Sequence, residues 1–190
     1  MMSIFSSIYL KILNWAESKH SVYYLSILSF IESNILPYPP PDVLLAPMSL
    51  QKPKKAYQFA LITTIFSVLG GIVGYFLGDF LLDILLNYHI IKEEIVSDIA
   101  TWFKNYGIYV VAIAAFSPLP FKLACISAGM LNMSFLPFVL ISFISRGLRF
   151  FLVAFFVRLI GDEVDKLMRK YIDPIGYSLI LVLVIYLLWP

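Results

Sequence analysis

Five charged residues lie inside long apolar stretches of the 190-residue chain: Glu32, Asp42, Lys122, Arg146 and Arg149. Each costs on the order of 2.5–3.5 kcal/mol near the centre of a bilayer on insertion scales. Residues placed there face a bundle interior, where they mark a pathway or relay or neutralise one another as ion pairs. Two kinds of chemistry are open to them. Carboxylates in apolar surroundings can take up and release a proton as their partners change, so Glu32 and Asp42 are the candidates for proton coupling. Arg146 and Arg149, three residues apart, share one helix face. With Lys122 they are the candidates for an anion or head-group site: a guanidinium fork matches a phosphate, and lysine adds a point charge. The same five residues also permit purely structural pairing of acids with bases.

No catalytic residue is expected. The sequence has no HExxH, no GxSxG and no Gly-rich phosphate loop. It implies no enzyme, no metal and no cofactor. Cys125 is the single cysteine, so no disulfide can form within the chain.

The elements that must position these charges are apolar. Of all residues 61% are apolar and 14% are charged, against roughly a quarter charged in an ordinary soluble domain. A soluble domain of this size could not bury so much apolar surface. The composition excludes a soluble enzyme, a disordered chain and a nucleic-acid-binding module, and it indicates an all-α integral membrane protein.

Proline divides the apolar sequence into pieces. Residues 1–20 place Ile4, Ile8, Ile12 and Trp15 at helical spacing, as in an amphipathic helix at the membrane surface. In segment 21–50, Pro37, Pro39, Pro40 and Pro41 cannot lie inside a helix. The limbs 21–36 and 42–50 are each shorter than the roughly 20 residues needed to cross hydrocarbon. A re-entrant hairpin is expected, because broken backbone at membrane depth must be covered by protein or face a water-filled cavity. Residues 56–87 follow as a long helix with Gly70, Gly74 and Gly78 on one face for close helix packing. Residues 88–105 read as an amphipathic surface helix. Segment 106–134 repeats the hairpin, with limb 107–116, breaks at Pro118 and Pro120, and a second limb ending at Asn132. Residues 135–160 form a second long helix. A polar loop over 161–173 leads to a C-terminal transmembrane helix over 174–190.

The order of elements repeats: proline break, charged residue, Ala-x-Met, long helix. Ala46-Pro47-Met48 and Ala128-Gly129-Met130 stand 82 residues apart. One crossing separates the two units, so they are inverted relative to each other, with tips meeting near the midplane. If both hairpins re-enter, Lys11, Lys19, Lys52, Lys54, Lys55, Lys166, Arg169 and Lys170 share one side, and Lys92 and Lys104 hold the other. The positive-inside rule then places the N-terminus in the cytoplasm.

Three motifs carry a family resemblance. They are Glu32-x4-Pro37-x-Pro-Pro-Pro-Asp42, Ser117-Pro118-x-Pro120-x-Lys122-x5-Ala128-Gly129, and Ser145-Arg146-Gly147-Leu148-Arg149-Phe150. Together they resemble the DedA family of bacterial membrane proteins, over about residues 20–165. The nearest match is its YqaA-type branch within the VTT (SNARE-associated Golgi) superfamily. The resemblance implies two opposed re-entrant hairpins in the bacterial inner membrane and translocation of a lipid. It suggests undecaprenyl phosphate or a phospholipid as cargo and the proton gradient as drive. Glu32 and Asp42 match the family's membrane-embedded acids. Lys122 stands where the second hairpin usually has an arginine, and Ser117 where many members carry another. Arg146 and Arg149 are the cations left to supply the difference.

The expected function is therefore a lipid translocase of flippase or scramblase type. The alternatives are a proton-coupled transporter of a small solute or ion, and a membrane scaffold that transports nothing. Expected partners are a membrane lipid and protons, with no nucleic acid; a second copy of the chain is left open.

Overall fold

The computed structural model describes residues 15, 16, 18–33, 40–87, 93–117 and 121–188, with the backbone alone at 83, 85, 87, 93–99, 162 and 164–188. The expected surface helix over 1–20 therefore falls almost wholly outside the described residues, as do Pro37, Pro39, Pro118 and Pro120.

Among the described residues the fold is helical, with no strand. The main helices are α1 (Ser21–Glu32), α2 (Asp42–Gln51), α3 (Ala56–Asn87), α4 (Glu93–Phe116), α5 (Phe121–Met130) and α6 (Phe135–Leu188). A 3-10 turn, Pro53–Lys55, joins α2 to α3. Prolines help to start α2. Pro40 and Pro41 have no amide hydrogen to leave unpaired, and their carbonyls accept from Val43, Leu44 and Leu45 at 2.9–3.1 Å. The turn from α5 to α6 uses Asn132 in the left-handed region at φ 52°, which Asn tolerates better than most side chains. Met133 N–H bonds back to the Ala128 carbonyl and Asn132 N–H to that of Gly129, the Schellman arrangement of a helix end.

Two boundaries differ from expectation. The surface helix expected over 88–105 and the limb 107–116 form one helix, α4 (Glu93–Phe116). Between these residues only Gly107 weakens the pattern, and one glycine costs about 1 kcal/mol without ending a helix. The polar loop expected over 161–173 is helical as well. Backbone geometry departs from helix at Ile160 (φ −126°, ψ 20°), and helix resumes to Leu188. The middle of this stretch, Lys166-Leu167-Met168-Arg169-Lys170, is an unbroken run of good helix formers, and they form helix whether or not they are apolar. Polarity alone does not make a loop.

Among the described residues two helices are long and apolar enough to cross a membrane, Pro53–Leu82 and Phe135–Gly161. They run antiparallel. Tyr57 stacks on Phe151 at one end, ring centroids 5.9 Å apart, and Tyr75 packs on Phe138 at the other, 5.1 Å apart. Many large apolar side chains on them are exposed, among them Leu61, Ile65, Phe76, Phe143, Leu148 and Phe155. Apolar area of that extent belongs against lipid or another protein rather than water.

The short helices dock on the spans through glycine. A Cβ at Gly70 would lie 2.2 Å from the Phe30 carbonyl oxygen of α1, and one at Gly78 would lie 2.1 Å from that of Ile126 in α5. Gly129 of α5 is as tight, 1.8 Å from the Tyr75 carbonyl oxygen of α3. Backbones touch only where no Cβ intervenes. At Gly74 a Cβ would meet Cys125 Cβ at 3.2 Å and the Ser33 carbonyl oxygen at 3.3 Å.

Two buried apolar clusters result. One joins Leu25, Leu45, Met48, Phe59, Phe150 and Ala154. The other joins Phe103, Val111, Phe121, Cys125, Met133 and Phe138. Along α6, Phe138 belongs to one cluster and Phe150 to the other. The turn between them carries the two arginines.

Candidate functional site: two ion pairs on one turn of a membrane helix

Helix α1 ends at Glu32 and α2 begins at Asp42, so the first proline break holds two carboxylates at its mouth. A carboxylate in the first turn of α2 also suits the positive end of that helix. Arg146 and Arg149 on α6 meet them one each.

Arg146 is buried, with 1% of its side chain exposed against 15% for Glu32. Its Nη2 donates to Glu32 Oε2 at 2.6 Å and lies 3.5 Å from Ser33 Oγ. Its Nε donates to Ser67 Oγ at 2.7 Å. Ser67 and Ser33 share a hydrogen bond of 2.7 Å, and Ser33 Oγ donates to Glu32 Oε2 at 3.2 Å. The guanidinium carbon lies 4.8 Å from the ring centres of both Phe121 and Phe150. Each apolar cluster thus lends one aromatic face to this cation. Fixing a buried charge on several partners at once is the condition under which it is tolerated.

Arg149 is more open. Its side chain is 17% exposed and that of its partner Asp42 is 24% exposed. Nη2 donates to Asp42 Oδ2, and Nη1 donates to the Ser117 carbonyl at the end of α4, 2.6 Å away. The other carboxylate oxygen, Asp42 Oδ1, is buried and has no hydrogen-bond partner among the described residues. Beside Arg149 lies an open groove of about 380 Å³, lined otherwise by Phe116, Leu152, Val153, Phe156 and Val157. Its walls are apolar and its one charged lining residue is Arg149. Phe116, Leu152 and Phe156 are themselves exposed, so the groove opens on the apolar surface of the helix.

The structure therefore brings four of the five sequence candidates together as two acid–base pairs. Arg149 touches the ends of α2 and α4, and Arg146 touches the end of α1 and the first residue of α5. The ends of the two short-helix units converge on one turn of α6. Lys122, in the first turn of α5, is half-buried and itself engaged. Arg146 faces Glu32 and Ser67 rather than an open space.

Sequence reasoning passed over the serines. Ser26, Ser29 and Ser33 follow helical spacing along α1, and Thr63, Thr64 and Ser67 precede the glycines of α3. All six are buried. Ser26, Ser29, Thr63 and Thr64 donate to carbonyls one turn back at 2.6–2.8 Å, while Ser33 and Ser67 reach the ion pair. Two hydroxyl rows in apolar helices were the available signal. Nothing in the sequence distinguishes Phe121 from its other phenylalanines, whereas Phe150 closes the third family motif.

The chain matches the VTT domain over residues 39–159. It belongs to the VTT domain family, the family of DedA and SNARE-associated proteins. The family is membrane-associated and its members are commonly transporter-like. The VTT match ends at 159, where α6 bends at Ile160. It contains Asp42, Lys122, Arg146 and Arg149, whereas Glu32 and the rest of α1 precede it. Two bacterial relatives extend over nearly the whole chain. An uncharacterized protein of Haemophilus influenzae is 40% identical over 188 residues, 97% of this chain and 96% of its own length. An uncharacterized protein of Histophilus somni is 40% identical over 189 residues, 98% of each chain. No solved structure matches.

Proposed function

We propose that this VTT-domain protein is a proton-coupled lipid translocase of the bacterial inner membrane and that Asp42–Arg149 is its working pair. One observation carries the reading: Arg149, the cation of this pair, lines an apolar groove that opens on the exposed surface of a membrane helix. A lipid can enter such a groove by its tail and reach a cation with its head.

The chemistry is an exchange of partners. With Asp42 ionised, Arg149 is neutralised and the site carries no net charge to draw an anion. A proton added at Asp42 removes the carboxylate's charge and frees Arg149 Nη2 for a phosphate oxygen. Loss of the proton restores the pair and expels the phosphate. Asp42 Oδ1, which accepts no hydrogen bond, is the atom at hand for that proton. Lys122 is a second cation for the head group. Glu32 belongs to the same proton-responsive pair of acids, held by Arg146. Helices α1, α2 and α5 are too short to cross alone, and this supports two inverted re-entrant hairpins; the N-terminus in the cytoplasm rests on the distribution of lysines and arginines. The cargo is a phosphate-bearing carrier lipid such as undecaprenyl phosphate, or a phospholipid.

The scaffold reading has an observation of its own, because Arg146–Glu32 is buried and fully partnered. A leaflet-exchange assay in proteoliposomes under an imposed pH gradient separates the two. Asp42→Asn and Arg149→Gln should fold and lose transport at least tenfold. Transport at the wild-type rate in both variants would overturn the translocase reading. Uptake of a soluble ion by the same liposomes, without lipid movement, would favour the small-solute transporter.

A further inference from the structure

A second group of cations lies away from the arginine turn, where α3 begins and α6 bends. Lys54 and Lys55 close the 3-10 turn before α3, and both are exposed, as is Lys52. Arg158 on α6 is exposed too, and its guanidinium carbon lies 5.5 Å from the ring centre of Tyr57. Tyr57 follows Lys54 by three residues, one turn along, and its other stacking partner is Phe151 of α6. An arginine held over an aromatic ring keeps its edge donors free for a second partner.

The site sits at a boundary. The apolar spans run Pro53–Leu82 and Phe135–Gly161, so Lys54 and Lys55 stand at the start of one and Arg158 near the end of the other. Because the spans are antiparallel, these are the same end. From there toward the middle, Leu61 and Ile65 on α3 and Leu148 on α6 present exposed apolar surface. The described acids do not neutralise the group: Glu32 and Asp42 are bound at the arginine turn. Asp79 lies toward the far end of α3, and Glu163 is past the bend at Ile160.

We propose that this seam binds the head group of an anionic phospholipid, with Lys54, Lys55 and Arg158 around its phosphate and its chains against α3 and α6. Cations at head-group depth above exposed apolar helix match that one chemistry: an anion joined to hydrocarbon. The site rests on α3 and α6 lying in a membrane, and it does not depend on transport.

The test is lipid retention by the purified full-length protein, read by native mass spectrometry after extraction from vesicles of equimolar phosphatidylglycerol and phosphatidylcholine. Wild type should retain phosphatidylglycerol preferentially. Arg158→Gln and Lys54→Gln should each lower that preference about fivefold, the value of one cation near an anionic surface. Arg158→Lys should keep most of it, and Lys104→Gln should leave it unchanged. Tyr57→Leu, which keeps every charge and removes the aromatic platform, should lower it about twofold to fivefold. It remains a test even where Arg158→Gln fails to fold. Equal retention of the two lipids by wild type would overturn the proposal. So would a Lys104→Gln effect as large as that of Arg158→Gln, an unchanged preference in Tyr57→Leu, or displacement of the lipid by inorganic phosphate. Absence of leaflet exchange by the wild type, with its lipid retention intact, would count against the translocase reading alone.

Discussion

Arg146 and Arg149 stand one turn apart on α6 and each holds an acid from the first proline break, yet their surroundings differ. Arg146 has two serines, a carboxylate and two aromatic faces around it, and 1% of it is exposed. Arg149 has a carboxylate and one backbone carbonyl as partners, the Phe150 ring at the longer distance of 5.8 Å, and an apolar groove on its open side. Arginine with a carboxylate thus makes a satisfied joint in one place and an incompletely satisfied one three residues later. A switch must be able to exchange partners at low cost, and the second pair meets that condition better than the first.

The largest effect should come from breaking the buried pair. Arg146→Ala leaves Glu32 without its cation, and removing one member of a buried pair costs about 3–5 kcal/mol. Thermal unfolding in detergent should show a large drop. The double variant Glu32→Gln with Arg146→Met should recover much of it. An equal loss on truncating Arg149 would erase the distinction between the pairs.

Next in size is Gly129→Ala. Its Cβ would stand 1.8 Å from the Tyr75 carbonyl oxygen, forcing α5 off α3 and moving Phe121 away from Arg146. Overpacking of this kind costs about 1–3 kcal/mol, read from the same unfolding curve. Ser67→Ala should follow. It strands Arg146 Nε and removes the link to Ser33, a loss of about 1–3 kcal/mol for an unsatisfied buried donor.

The smallest stability change belongs to the open pair. Asp42→Asn keeps the shape and removes one charge from a partly exposed ion pair, so the expected cost is under about 1 kcal/mol. Its transport defect should nonetheless exceed that of Ser67→Ala measured at a temperature where both are folded. The reverse order would make Asp42 the structural acid and send the search for the working pair to Glu32.

The long helices were legible from the sequence because apolar runs of that length without proline have few alternatives. Residues 56–87 and the start at Phe135 follow from composition and breakers alone. The short helices α1, α2 and α5 were legible for the same reason, since Pro37–Pro41 and Pro118–Pro120 interrupt every helical reading. The continuity of α4 across 105–107 was not legible, because an amphipathic stretch followed by an apolar one reads as two environments even when one helix passes through both. The polarity of 161–173 suggests a loop where the backbone is helical, because polarity reports solvent exposure and not backbone conformation.

The candidate site divides in the same way. That Glu32, Asp42, Arg146 and Arg149 must find partners followed from their sequence positions, because an isolated charge in apolar surroundings is too costly to leave alone. Which acid meets which arginine did not. Glu32 and Arg146 are 114 residues apart, Asp42 and Arg149 107. Their pairing depends on glycine contacts that set α1 and α5 against α3, and on the antiparallel register of α3 and α6. Sequence spacing reports only neighbours on one helix. By itself the sequence determined a charge-poor helical membrane chain with two proline breaks and a short set of ionisable residues that had to be paired or put to use. Tertiary packing decided that one pair is enclosed by aromatic rings from both cores while the other borders a groove, because exposure is a property of what surrounds a side chain and not of its place in the sequence.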